Sequence, residues 1–131
     1  MNKYGVVATK AVYLIMNEEQ TEPLTAWNTA ASDVFGEGTW AQRKGCPKNA
    51  FLGLCEEGLV RGIPKGNYTY RSESLNKAYA LEAVELLKVS PLLANDRNGL
   101  WKEVMKGVKK SHNSQMDVVL ALWNNNLIVL E

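Results

Sequence analysis

This 131-residue chain has only two cysteines, one histidine and no long apolar run, and each scarcity excludes something. Cys46 and Cys55 belong to one predicted helix, nine residues apart. At about 1.5 Å of rise per residue that is about 13 Å, beyond the reach of a disulfide. Free thiols imply a reducing compartment. One histidine and two separated cysteines leave too few ligands for a structural zinc site, so no metal is expected. The longest apolar run near the N-terminus, Ala11 to Met16, is followed by Glu18 and Glu19, which is not a secretory signal. No stretch approaches the length of a membrane span. The chain therefore reads as cytoplasmic, with no membrane partner. Fifteen basic and fourteen acidic residues cancel to a net charge of +1, so no global bias points to a polyanion or a polycation. Gly62-Ile63-Pro64-Lys65-Gly66 lacks the Gly-Lys-Ser/Thr ending of a phosphate loop. The chain also has no dinucleotide fingerprint and no Gly-x-Ser-x-Gly elbow. No cofactor is implied.

What is present is helical periodicity. Lys3 to Met16 carries Tyr4, Val7, Ala8, Ala11, Val12 and Ile15 on one stripe. Thr21-Glu22-Pro23 opens a second helix with Trp27, Ala30, Ala31 and Val34 facing in, stopped by Gly36. Thr39-Trp40-Ala41-Gln42 fits a capping box that starts a one-turn helix. The stretch Lys44 to Tyr70 organises the rest. Pro47 suits the first turn of a helix running to Glu57, with Phe51, Leu52, Leu54 and Cys55 inward and Lys48, Asn49 and Glu56 outward. Gly58 supplies the left-handed stop. Leu59 to Ile63, the turn Pro64 to Asn67, and Tyr68 to Tyr70 read as a small β-hairpin. A long helix begins at Ser72 or Ser74, ends near Val89 before Pro91, and is expected to be the central core helix. Asp96 or Asn98 caps the next helix, whose Lys102, Lys106 and Lys110 form a solvated ridge. Gln115 to Asn124 is the last helix. Glu56-Glu57 and Glu82-Glu85 are carboxylate pairs expected on wet faces. The expected fold is mainly α, a single domain over residues 1–131, bundle-like with a winged-helix-like helix-turn-helix-hairpin segment. Its interior joins Trp27, Phe51, Leu54, Tyr79, Leu86, Val104 and Leu120.

The combination Trp27, Gly45-Cys46-Pro47, Ala50-Phe51-Leu52-Gly53-Leu54-Cys55-Glu56-Glu57-Gly58, Gly62-Ile63-Pro64, Tyr79-Ala80 and Gln115 to Trp123 resembles a small bacterial family of unknown function. The resemblance spans most of the chain. It implies a bacterial cytoplasmic single-domain protein and supplies no catalytic residue.

Three readings of function follow from the residues. The preferred one is a non-catalytic binding or interaction domain, acting on a protein partner or a second copy, because no coherent set of reactive groups is present. The second is a winged-helix-like DNA binder. Residues 41–77 carry seven basic and three acidic side chains, against two and five in residues 1–40. Lys48 and Asn49 would be the exposed early positions of a recognition helix, with Arg61 beside them and Lys65 and Arg71 as phosphate contacts of the wing. The third is a thiol enzyme, with Cys46 favoured as thiolate by a helix N-terminus, His112 as base and Asp117 as orienter. Separately, Trp40, Tyr68 and Tyr70 beside Arg43 and Arg71 could line a groove for a small anionic or aromatic ligand. The competing expectation, and the favoured one, is that Trp40 roofs the core beneath a loop.

Overall fold

The computed structural model describes residues 2–69 and 75–130. Helix α1 (Lys3–Met16) follows its apolar stripe from end to end, with the Asn2 side chain accepting the Tyr4 amide at 2.7 Å as its cap. Helix α2 (Pro23–Phe35) starts on its proline, and α3 (Trp40–Arg43) is a single turn. Helix α4 (Gly45–Glu56) begins two residues before Pro47, which still lies in the first turn, where no amide is needed. Its stop has the geometry expected of Gly58. The φ there is 72°, the Gly58 amide reaches the Cys55 carbonyl, and the Leu59 amide reaches the Leu54 carbonyl, both at 3.1 Å. Helix α5 (Leu75–Val89), a 3-10 turn (Pro91–Asn95), α6 (Arg97–Met105) and α7 (Gln115–Asn124) complete the order. The caps expected at Ser72 or Ser74 lie outside the described residues.

α7 packs on α1, α4, α5 and α6 at once, because its sequence is apolar nearly all round. α4 is likewise buried almost throughout, including Asn49 and Glu56, which were expected in water. The central position expected of α5 belongs to these two helices. α5 buries one face, Ala80, Ala83, Val84 and Leu87, and leaves Tyr79 and Leu86 half-covered. Gly53 lets α4 and α5 approach: a Cβ there would lie 2.5 Å from the Lys77 Cβ.

The β-hairpin is not formed. Among the described residues there is no strand, only one isolated antiparallel bridge, from Val60 to Ile128. The amides that a hairpin would have paired are taken elsewhere. Arg61 and Val129 exchange backbone bonds with Leu127 and Leu59, each at 2.8 Å. The amides of Tyr68 and Thr69 and the Thr69 hydroxyl all donate to Glu56 Oε2 at 2.8 Å. The Lys77 ammonium donates to Glu56 Oε1 at 2.9 Å and also reaches Glu57. A buried carboxylate thus captures the returning arm and replaces a ladder with a cradle. The winged-helix expectation falls with the wing. A second part of that expectation fails at Asn49, which is only 7% exposed and so is not an exposed early position of a recognition helix.

Candidate functional site

The site is built on α3, whose single turn cannot be stable alone and is held by its neighbours. Gly36 and Gly38 take φ values of 98° and 79°, turning the chain out of α2. Thr39 caps the turn by accepting the Gln42 amide at 3.2 Å, and its hydroxyl donates to the Gly36 carbonyl at 2.8 Å. Gln42 reaches back to the Gly38 amide at 3.3 Å, a capping box shifted by one residue. From α1, the Tyr4 hydroxyl donates to the Ala41 carbonyl at 3.0 Å.

This pedestal presents Trp40 to solvent at 86% exposure. The favoured expectation, a roof over the core, is therefore reversed, and of the residues expected to line a groove only Trp40 and Arg43 are together here. The Arg43 guanidinium lies 5.4 Å from the Trp40 ring centre, and the Lys44 ammonium 5.5 Å from that of Tyr4. Trp40, Ala41, Arg43, Lys44 and Gly45 line a cavity of about 510 Å³. Arg43 is also on the wall of a second, more polar hollow of about 500 Å³, with Thr25, Asn28, Thr29, Ser32 and Lys48. Glu37 is the acid on that wall. The Asn49 side chain, on α4, has a buried Oδ1 without a hydrogen-bond partner among the described residues.

The corner unites Trp40, Arg43 and Lys48. The other sequence candidates lie elsewhere. Arg61 donates from Nε to the Asn126 carbonyl at 2.8 Å. The Tyr68 hydroxyl donates to the Pro64 carbonyl at 2.6 Å, closing a turn beside exposed Lys65. Tyr70 and Arg71 lie outside the described residues.

The thiol constellation is dispersed. Cys46 is half-exposed on the first turn of α4. His112 sets its ring edge against Trp101, with centroids 6.4 Å apart and a buried Nδ1 lacking a partner. It lies three residues before α7, whose first residue, Gln115, donates to Asn76 at 2.9 Å, and the residue after Asn76, Lys77, holds the far end of α4. Ten residues of helix, about 15 Å, separate that end from Cys46. Asp117 faces Arg97 Nη1 at 3.3 Å instead of the imidazole. Burial pushes the Cys55 thiol well up.

The lysine ridge is broken. α6 stops at Met105, Lys106 turns left-handed with φ 51°, and Lys110 folds back. The Lys110 carbonyl accepts the Trp101 Nε1 proton at 2.8 Å, and its ammonium donates to the Tyr79 hydroxyl at 3.1 Å. A cavity of about 610 Å³ lies there, lined by Trp101, Val108 and four lysines.

Among the described residues, no group of three or more His, Cys, Asp or Glu side chains could hold a metal ion. Among the same residues, no helix is long and apolar enough to cross a membrane. No curated protein and no solved structure matches the chain. A family model described as "Family of unknown function (DUF6979)" matches residues 1–129, and the chain belongs to that family.

Proposed function

We propose that this protein is a non-catalytic binding domain whose contact surface is the corner formed by α2, α3 and α4. The observation that carries this reading is Trp40, a large apolar ring held out in water on a pedestal tied by four hydrogen bonds and turned by two positive-φ glycines. A tryptophan can bury about 150–250 Å² of surface, so leaving it exposed forgoes several kcal/mol of stabilisation. A rigid exposed ring also binds with little ordering cost. The dispersal of Cys46, His112 and Asp117 supports binding over thiol catalysis. The reading takes residues 1–131 as one folding unit of a bacterial cytoplasmic protein, supported by a continuous core that draws on α1, α2, α4, α5, α6 and α7.

Collisional quenching tests the proposal. Trp27 and Trp101 are buried and Trp123 is half-buried, so acrylamide should quench chiefly Trp40. In a panel of small aromatic anions and acidic peptides, a bound ligand should shield that component, and isothermal titration calorimetry should show the same ligand binding Trp40→Ala much more weakly. Ligands that bind equally well to the Trp40→Ala variant would refute this surface.

A further inference from the structure

The corner's chemistry specifies its ligand more narrowly, and this inference rests on the binding-surface reading above. An exposed indole face takes a flat partner, and stacking on it is the interaction that nucleobases make without regard to sequence. Arg43 and Lys44 form no ion pair with a carboxylate among the described residues, and each sits over a ring instead. A guanidinium in that state is poised for bidentate capture of a phosphate. The hollow on the far side of Arg43 offers Thr25, Asn28, Thr29 and Ser32. Those side chains make no hydrogen bond with other described residues, leaving hydroxyls and an amide for a sugar. Glu37 on the same wall can accept from sugar hydroxyls or a base amino group. The two hollows, at about 510 and 500 Å³, are each of the size of small-ligand sites. An acidic peptide would answer the cations but leave the indole plate and the hydroxyl-lined hollow without a matching surface.

We propose that this corner binds a nucleobase joined to a phosphate, with the base stacked on Trp40, the phosphate held by Arg43 and Lys44, and the sugar toward Thr29 and Ser32. The same chemistry comes from a free mononucleotide or from single-stranded nucleic acid.

The test is a titration of the full chain with AMP, thymidine monophosphate, oligothymidylate, adenosine, inorganic phosphate and a glutamate-rich peptide. Binding is followed by isothermal titration calorimetry in wild type, Trp40→Ala and Arg43→Gln, and by tryptophan emission in the two proteins that keep Trp40. The nucleotides should quench emission, and Trp40→Ala should weaken them about 5- to 150-fold. Arg43→Gln should weaken AMP about tenfold or more while leaving adenosine nearly unchanged. Oligothymidylate binding no tighter than thymidine monophosphate identifies a free nucleotide as the source. Tighter binding that falls steeply with salt identifies a strand. If the glutamate-rich peptide binds in a Trp40-dependent way and the nucleotides do not, the ligand class is wrong and the binding surface stands. If no probe is affected by either substitution, both fall. Both side chains are at the surface, so circular dichroism of the variants should match wild type.

Discussion

Replacing Glu56 with glutamine isolates what a single buried charge contributes to this fold. Burial alone would raise the Glu56 carboxyl. The amides of Thr69 and Tyr68, the Thr69 hydroxyl and Lys77 outweigh it and hold the group at about 2, against a usual 4.5. That displacement corresponds to about 3 kcal/mol of stability carried by the ionised form. Glutamine has nearly the same shape as the protonated acid, so Glu56→Gln should cost about that amount at neutral pH. Its NH₂ would also face the Lys77 ammonium. Because the folded-state value is depressed, the contribution is complete above about pH 4.5 and disappears as the pH falls toward about 2. Urea unfolding of both proteins should therefore show a gap that closes over that window. Hydrogen exchange should show the Tyr68 and Thr69 amides losing protection in the variant. A variant within about 0.5 kcal/mol of wild type, or a gap unchanged from neutral to acid pH, would refute the account of residues 56–69 as a carboxylate-held cradle.

Gly53→Ala should destabilise by about 1–3 kcal/mol in chemical denaturation, since the new Cβ would meet Lys77 Cβ and Cγ at 2.5 Å and its backbone Cα at 2.9 Å. Gly58→Ala should cost about 1 kcal/mol by the same measurement, for the left-handed φ of 72° at the end of α4. Trp40→Ala should stay within about 0.5 kcal/mol of wild-type stability, because the ring is 86% exposed, so any loss of binding would not be a loss of fold. Iodoacetamide at neutral pH should label Cys46 and spare Cys55, which is fully buried and whose thiol is pushed up by that burial, as mass spectrometry of the native protein would report.

The features legible in the sequence were local ones. The bounds of α1, the proline start of α2, the Thr39 cap and the Gly58 stop each depend on residues within about a turn of one another. The misreadings involve partners far along the chain. Glu56 looked like half of a wet carboxylate pair because nothing in its own helix shows that residues 68 and 69 fold back over it. The alternation around Val60 suggested a hairpin, yet its bridge partner is Ile128. Lys102, Lys106 and Lys110 have ridge spacing only if the helix continues past Met105, and the left-handed Lys106 ends it. In the candidate site, the mix of Trp40, Arg43 and Lys48 could be named from residue type. The half of the site contributed by Thr25, Asn28, Thr29 and Ser32 could not, because those hydroxyls and amides read as the ordinary wet face of α2.

Sequence alone determined that the chain is helical, where most helices begin and end, and that Trp27, Phe51 and Leu54 are interior, since periodicity and caps are properties of short segments. Tertiary structure decided which way Trp40 and Glu56 point. Each lies at a place where solvent and core are equally near along the chain. Only the packing of α3 on α2 with its hydrogen bond from Tyr4, and the folding of the 59–69 loop against α4, send the indole out and the carboxylate in.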